Sequence, residues 1–256
     1  ADPLDTLSER LADPGDDRTS CVLVSSVLFG TGLIVPELQQ IAAACTKHGA
    51  EMMVDAYHSL GVVPFSLDGM EQAFVLGGGY KYMQLGEGNC FMRVPEGCEM
   101  RPVITGWFSE FAELADAKTE GEVRYGKGFM RFSGSTFDPT SQYRGAAVLD
   151  FFAEQGLSTE LLRSVSQHQV GLLVETLESL DLDPAMVSID AGVPLESRAG
   201  FLTVRAPDAE ALSVALREHG VSTDARGDRL RFGPAPYLSD AQVVQAMETL
   251  REVVPR

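Results

Sequence analysis

The chain has 256 residues, 45% of them hydrophobic, which is an ordinary composition for a globular protein and enough chain to bury the core of one large domain or more. A formal net charge of −17 argues against nucleic acid or an anionic membrane as a partner, because an acidic surface is repelled by both. The apolar runs are far shorter than a membrane span and the N-terminus lacks the basic start of a signal peptide, which predicts a cytoplasmic protein.

The four cysteines do not form a motif. Cys21, Cys45, Cys90 and Cys98 include no CxxC pair and stand in or beside apolar segments. We therefore predict reduced thiols in or near the core, and no metal site or disulfide framework. Cys90 is near Lys81 in sequence, but nothing around it marks an activated nucleophile.

The first part of the chain has the pattern of a strand, a helix and a second strand. After an acidic connector with a possible short helix at Leu4–Leu11, the β-branched run Cys21–Val27 predicts a buried strand. Apolar residues at helical spacing predict a helix with Pro36 in its first turn and Gly49 after its end. With the strand Met52–Val54, this predicts one right-handed βαβ unit.

Two more strands and two helices follow. The strands are predicted at Ala73–Leu76 and Asn89–Val94. One helix is predicted from Pro139 or Thr140 to Ala153, and another from an N-cap at Ser158 to about Leu180. Beyond a junction at Asp181–Pro184 the pattern is β (186–189), β (200–204), α (208–219), β (221–224), β (229–232) and α (239–253). We predict an α/β fold with a mostly parallel sheet in residues 1–182 and a small α+β domain in residues 183–256.

An acid and an amine stand just past two of these strands. Asp55 follows the strand Met52–Val54, and Lys81 follows Ala73–Leu76 after a glycine-rich turn at Gly77–Gly79. In an open α/β sheet the loops beyond the carboxyl ends of the strands form the ligand crevice. A lysine there can form an imine with an aldehyde cofactor, and an aspartate can pair with the protonated ring nitrogen of that cofactor. The pair therefore predicts a pyridoxal 5'-phosphate (PLP) site.

Simpler interpretations of both residues stand beside this one. A lysine in a surface loop is usually solvated, and an aspartate after a strand often caps a turn. A nucleotide-binding Rossmann domain that uses Gly77–Gly79 is a weaker alternative, because the residues fit neither GxGxxG nor GxxxxGK[ST].

The sequence around Asp55 and Lys81 also resembles that of a known family. Asp55-Ala56-Tyr57-His58 and Tyr80-Lys81-Tyr82 resemble the signature of the class V aminotransferase superfamily, and within it of the kynureninases. The resemblance extends from Val22 to the end of the chain. It implies the large domain of PLP-transferase fold type I, PLP as cofactor, an amino-acid substrate and a homodimer with shared active sites.

The resemblance also implies roles for single residues. Lys81 stands at the Schiff-base lysine, Asp55 at the aspartate that contacts the pyridine nitrogen, and His58 at the histidine beside the ring. The further matches are Tyr80 (cofactor phosphate), Trp107 in Gly106-Trp107-Phe108 (cofactor or substrate of the neighbouring subunit), Arg231 in an Arg-x-x-Pro-x-Pro context (substrate carboxylate) and Ser135 (substrate). A packed loop histidine, an aromatic interface anchor and an exposed strand arginine are the simpler alternatives for His58, Trp107 and Arg231.

The chain departs from the family pattern in several places. Gly79 replaces a phosphate-binding serine, which leaves only a backbone N–H, and Glu87 brings a negative charge to the same region. Residues Gly134–Phe137 replace the asparagine and prolines that contact the aromatic ring of the substrate, which puts an aryl-alanine substrate in doubt. The phosphate-binding turn and ring-stacking aromatic residue of the superfamily are not recognisable before Cys21, so we expect an N-terminal part of the large domain to be absent from this sequence.

Two classes of function remain open. The first is a kynureninase-like hydrolase that cleaves Cβ–Cγ to give alanine and an aryl acid, or another class V reaction, namely transamination, desulfuration, elimination or epimerisation. The second is a non-catalytic relative in which the fold serves as a scaffold. Gly79 and Gly134 favour the scaffold, whereas Asp55, Lys81 and Arg231 together favour the enzyme.

Overall fold

The computed structural model of the chain describes residues 19–116, 119–190 and 192–255. The helix expected at Leu4–Leu11 lies outside these residues. None of the helices in the described ranges is long and apolar enough to cross a bilayer.

The first sheet is formed by four strands in the order of the sequence. These are β1 (Cys21–Ser25), β2 (Glu51–Asp55), β3 (Phe74–Gly78) and β4 (Cys90–Arg93), with helix α1 (Leu38–Lys47) between the first two. β1, β2 and β3 are parallel, and β4 is antiparallel to β3. The apolar face of α1 packs on the sheet, where Ile41 and Cys45 are buried with Met52 and Val54. The parallel sheet expected from the sequence is therefore present.

The C-terminal part contains a second, smaller sheet with helices packed against it. Strands β5 (Leu202–Arg205), β6 (Asp224–Arg226) and β7 (Arg229–Phe232) form an antiparallel sheet in the order β5-β7-β6. Helices α4 (Ala209–Glu218) and α5 (Asp240–Val253) pack against this sheet, and their buried side chains form one core with it. Ser239 and Gln242 form a capping box at the start of α5, which satisfies two backbone N–H groups there.

Two helices connect the sheets. These are α2 (Thr140–Glu154) and α3 (Thr159–Ser179), whose first turn is capped by the Ser158 side chain, as the sequence predicts. Leu173 and Leu177 of α3 are buried in the core of the C-terminal sheet. The division of the chain at residues 182 and 183 stays a prediction.

Three local expectations need correction. α1 begins at Leu38, because Glu37 has a left-handed backbone (φ 53°) and Pro36 therefore precedes the helix. The segment 186–189 forms one bridge to β5, between Ser188 and Arg205, and no full strand. The strand expected at residues 221–224 begins only at Asp224.

Two of the cysteines, Cys21 and Cys90, differ from the expectation of thiols in or near the core, whereas Cys45 agrees with it. Cys45 is buried in the core, and this burial raises the pKa of its thiol. Cys21 and Cys90 are exposed at the starts of their strands, and Cys98 is partly exposed. In the described ranges all four are free thiols.

Candidate active site

The sheet brings the Asp55 and Lys81 segments to one edge. β2 and β3 are adjacent and parallel, with Asp55 paired to Leu76 in the register, so the chain leaves both strands on the same side. Asp55 is held by its own loop and by the end of β1: one carboxylate oxygen accepts a hydrogen bond from the Tyr57 N–H (3.0 Å) and the other from the Ser25 hydroxyl (3.4 Å). Just beyond it, the Tyr57 and Tyr80 rings meet edge to face with centroids 5.8 Å apart.

The three glycines before Lys81 allow side chains to pack against the backbone. Gly77 and Gly78 belong to β3 and not to a turn, which corrects the expected turn. A Cβ atom at Gly77 would lie 2.3 Å from the Phe91 ring, one at Gly78 2.2 Å from the Tyr57 ring, and one at Gly79 2.6 Å from Leu85. The glycine run is thus required by close packing.

The backbone N–H of Gly79 is already used. It donates a 2.8 Å hydrogen bond to the Asn89 carbonyl, while the Gly79 carbonyl accepts one from the Leu85 N–H. The expectation that this N–H is available for a phosphate is therefore not met in this structure. Glu87 lies at the surface, yet its charge is close enough to raise the pKa of Lys81 slightly against the stronger opposing causes.

Lys81 lies in an environment that favours its neutral amine. Desolvation and, after it, the positive charge of Arg231 lower the pKa of Lys81, while the Asp55 carboxylate acts in the opposite direction. The ammonium nitrogen lies 5.3 Å from the centre of the Tyr80 ring. A lowered pKa increases the fraction of unprotonated amine, which is the form that attacks an aldehyde.

His58 is held as a neutral ring. Burial, followed by the charges of Lys81 and Arg231, lowers the pKa of His58 to about 4, although Asp55 opposes this shift. Its ring centre lies 5.7 Å from that of Phe201. Near neutral pH the imidazole is therefore an uncharged aromatic surface with one N–H donor.

Arg231 projects from the C-terminal sheet toward the same space. Its guanidinium donates to the Phe29 carbonyl (2.7 Å) and to the Asp224 carboxylate, and lies 5.6 Å and 5.5 Å from the Phe29 and Phe201 ring centres. Only 14% of its side chain is exposed. It is thus a positioned cation at the boundary between the two sheets.

These residues line one cleft of about 620 Å³, a size typical of small-ligand sites. Four of the residues expected from the sequence line it, namely His58, Tyr80, Lys81 and Arg231. Asp55 lies beside it, close enough to influence the charges of His58 and Lys81. Lys81 is the one lysine among the described residues that line this cleft.

The structure places Trp107 and Ser135 elsewhere. Trp107 belongs to an exposed aromatic group with Phe108 and Phe111, whose ring centres lie 4.5 Å and 5.6 Å from its own. Ser135 is exposed in the segment that follows the 3-10 turn Gly128–Phe132. Neither lines the cleft within this one chain, and their expected roles stay predictions.

Sequence reasoning missed several cleft residues. Asp224 contacts Arg231 directly, because the β6–β7 register places the two opposite each other. Phe201, Gln84 and Tyr237 also line the cleft. The hairpin signal at Gly227 could have suggested the Asp224–Arg231 pair, since two short strands around a tight turn fix the register.

A larger cavity of about 760 Å³ lies against α5 and shares Ser222, Gly233 and Pro234 with the cleft. Its lining is mostly apolar and includes His219 and Glu252 but no lysine among the described residues. The candidate catalytic side chains therefore line the smaller cleft.

A small apolar cluster fixes the Lys81 loop against the C-terminal part. Val27, Ala199 and Phe201 are buried there, with the Tyr82 ring packed on them. Gly200 lies directly under that ring, because a Cβ at this position would come within 2.5 Å of Tyr82 Cε1. The residue after Lys81 is therefore anchored by close ring-to-backbone contact.

Gly200→Ala should destabilise the protein through this contact. The added methyl group must displace the Tyr82 ring, and overpacking of this kind costs about 1–3 kcal/mol of the free energy of unfolding. Urea denaturation measures the change. Gly134→Ala is the control, because a Cβ there meets nothing within 4 Å, and equal stability of both variants would contradict the packing described for Tyr82.

The His58 environment predicts a pH dependence of stability. The pKa of His58 is about 4 in the folded protein and 6.5 in the unfolded chain, so between these values the unfolded chain binds more protons at this residue. The free energy of unfolding should therefore fall as pH decreases from 6.5 to 4, and it should fall less steeply in His58→Gln. Urea denaturation at several pH values tests this. His219→Gln, at an exposed histidine, should keep the wild-type slope, and a wild-type slope in His58→Gln would contradict a neutral, partly buried ring.

Sequence comparison relates the chain to kynureninases. The family model "Kynureninase C-terminal domain" matches residues 162–250. Kynureninase from Pseudomonas fluorescens is 28% identical over 97% of this chain and 59% of its own length, and kynureninase from Burkholderia mallei (strain SAVP1) is 27% identical over 95% and 58%. The chain thus spans a little under three fifths of the length of these relatives.

Structural comparison gives the fold. A cysteine desulfurase from Thermococcus onnurineus NA1 superposes with a TM-score of 0.77 at 16% identity, over 98% of this chain and 63% of its own. The cystine C-S lyase C-DES, in complex with cysteine persulfide, superposes at 0.78 with 21% identity, over 100% and 66%. An SPT structure with PLP superposes at 0.64 with 17% identity, over 97% and 58%.

These similarities agree with two features of the structure, the parallel sheet and the sheet edge at which the Asp55 and Lys81 segments meet. The chain therefore has the PLP-transferase fold and is similar to kynureninases, and its residues 162–250 match the kynureninase C-terminal domain.

Proposed function

We propose that the protein is a PLP-dependent enzyme that acts on an amino acid by a kynureninase-like reaction, the hydrolytic cleavage of Cβ–Cγ to give alanine and an aryl acid. The observation that carries the proposal is the cleft itself, which is lined by a lysine of lowered pKa and a positioned arginine and has the strand-end Asp55 beside it. The kynureninase relatives support the choice of reaction within the superfamily.

The residues of the cleft fit PLP. The cofactor needs an amine for its aldehyde, a carboxylate for its ring nitrogen and aromatic or uncharged surfaces around its ring. Lys81, Asp55, the neutral His58 and Tyr80 are the side chains available for these contacts. Bound PLP would supply a protonated pyridine ring that accepts electron density from the substrate Cα.

Each residue then has a distinct task. Lys81 would hold the aldehyde of PLP through its neutral amine, and its amine would also be the base for the proton on the substrate Cα. Asp55 would keep the pyridine nitrogen of PLP protonated, because a carboxylate beside that nitrogen favours its charged form. Arg231 orients the substrate by binding its carboxylate.

A turnover assay tests the proposed reaction. The PLP-loaded protein is given L-kynurenine, 3-hydroxykynurenine and L-cysteine in parallel, and alanine and the aryl acid are measured by chromatography. We expect alanine from a kynurenine substrate. If only cysteine is converted, with formation of alanine and release of sulfur, the reaction is a desulfuration and the proposed cleavage is wrong. A protein that binds no PLP and converts none of the three substrates would support the scaffold alternative.

We propose further that the protein acts as a homodimer in the cytoplasm. The support for a second copy as partner is an exposed apolar segment: Val103 and Ile104 are almost fully exposed, and Trp107 and Phe111 are about half exposed. Large exposed apolar patches are typical of protein interfaces.

Ile104→Asp should weaken this dimer. A charge placed in an apolar interface is left without a partner, so we expect the dissociation constant to rise by about tenfold or more. Light scattering after size-exclusion chromatography measures the mass. Val214→Asp, on the exposed side of α4, is the control, and an unchanged dimer in Ile104→Asp would exclude this segment from the interface.

A further inference from the structure

Asp224 lies against the guanidinium that would receive the carboxylate of the substrate. The antiparallel register pairs Asp224 of β6 with Arg231 of β7, and one carboxylate oxygen accepts a hydrogen bond from Arg231 Nη2. The other oxygen lies 3.1 Å from Arg226 Nη1. Asp224 thus stands between two arginines, the mostly buried Arg231 in the cleft and Arg226, whose side chain is 62% exposed and is not part of the cleft lining.

Arg231 does not depend on Asp224 alone for its position. Its Nη1 donates to the Phe29 carbonyl at 2.7 Å, and the Phe29 and Phe201 rings flank the guanidinium. None of these contacts involves Asp224. The effect of Asp224 on a ligand therefore comes mainly from its occupation of the Nη2 donor.

A second carboxylate needs the same donor. A two-pronged contact uses two guanidinium N–H groups side by side, and two anions at one donor repel each other. Arg226 offers a displaced Asp224 carboxylate a partner on the solvent side. The ion pair can thus be exchanged without leaving Asp224 unpaired.

We propose that Asp224 sets the affinity and selectivity of the cleft by competing for Arg231. The carboxylate of an incoming amino acid displaces Asp224 toward Arg226, whereas an amine without a carboxylate cannot. This inference rests on the proposed role of Arg231 as the carboxylate-binding residue. It makes Asp224 a specificity-determining residue that contacts the ligand-binding group and takes no part in bond cleavage.

The test is a spectroscopic titration of the PLP-loaded protein with L-alanine and with ethylamine. Asp224→Asn keeps the shape of the side chain and removes the competing charge, so half-saturation by L-alanine should occur at a concentration on the order of fivefold lower. Ethylamine should gain nothing. Asp228→Asn, whose carboxylate pairs with Arg229 on the same hairpin outside the cleft, is the matched control and should behave as wild type.

A double-mutant cycle separates competition from general electrostatics. Arg226→Gln should weaken L-alanine binding, because the displaced Asp224 loses its second partner, and this loss should disappear in the Asp224→Asn background. The proposal would be overturned if Asp224→Asn bound L-alanine no more tightly than wild type. It would also be overturned if Arg226→Gln weakened L-alanine binding as much in the Asp224→Asn background as in wild type. The opposite signs expected for the two single variants also distinguish competition from a loss of folding.

A second readout is independent of the cofactor. Phenylglyoxal reacts with accessible arginines, and peptide mass spectrometry gives the rate at Arg231 in the protein without PLP. The rate should rise severalfold in Asp224→Asn and stay unchanged in Asp228→Asn. Equal rates in wild type and Asp224→Asn would overturn the Asp224 contact, whatever the protein does with PLP. If the rates differ but the PLP-loaded wild type gives no spectroscopic response to L-alanine, the proposed function is wrong and the Asp224 contact stands.

Discussion

Lys81→Ala should lower the turnover of the PLP-loaded protein by at least about 10³-fold. A positioned general base contributes about 10²- to 10⁴-fold, and Lys81 is in addition the amine proposed to bind the aldehyde of PLP. The structure gives no replacement, because Lys81 is the one lysine of the described cleft lining. Initial rates with the substrate identified by the turnover assay measure the loss.

Lys47→Ala is the control for Lys81→Ala. Lys47 lies in the last turn of α1, away from the cleft lining, and its removal should leave turnover unchanged. Full activity of Lys81→Ala would show that the amine has no role in the reaction.

Asp55→Ala should have the second largest effect, a loss of about 10²- to 10³-fold in kcat. The estimate is that for removing one preorganised electrostatic contact to a developing charge. The loss should be accompanied by weaker PLP binding, because the ring nitrogen would lose its carboxylate. Rates at saturating PLP separate the two effects.

Two variants show whether the charge of Asp55 or its hydrogen bonds matter. Ser25→Ala removes the 3.4 Å hydrogen bond to Asp55 and keeps the carboxylate, so we expect a small effect. Asp55→Asn keeps an acceptor for the Tyr57 N–H and removes the charge, so we expect most of the loss seen in Asp55→Ala. A fully active Asp55→Asn would contradict the charge-based role.

The placement of Asp55 and Lys81 follows from the sequence because it depends on strand ends alone. Once Met52–Val54 and Phe74–Leu76 are strands of one parallel sheet, the chain must leave both at the same edge. The N-cap of α3 at Ser158 follows from the sequence in the same way, because a serine before an apolar helical pattern is a local signal.

The rest of the site depends on contacts between distant segments. The glycines at 77–79 suggest a turn by composition, yet Phe91, Tyr57 and Leu85 pack on them, and no local pattern reveals such contacts. The Phe29 carbonyl on Arg231 joins residues 202 positions apart. The segment 186–189 is a further example, because its sequence predicts a strand but the segment pairs with β5 only at Ser188.

The central claim is that Lys81 binds the aldehyde of PLP. The protein is incubated with PLP, treated with borohydride to make the link permanent, digested and mapped by mass spectrometry. The sequence has four lysines, Lys47, Lys81, Lys118 and Lys127, so the assignment is unambiguous. We predict a single pyridoxyl group on Lys81, and a label on another lysine or no label would contradict the account.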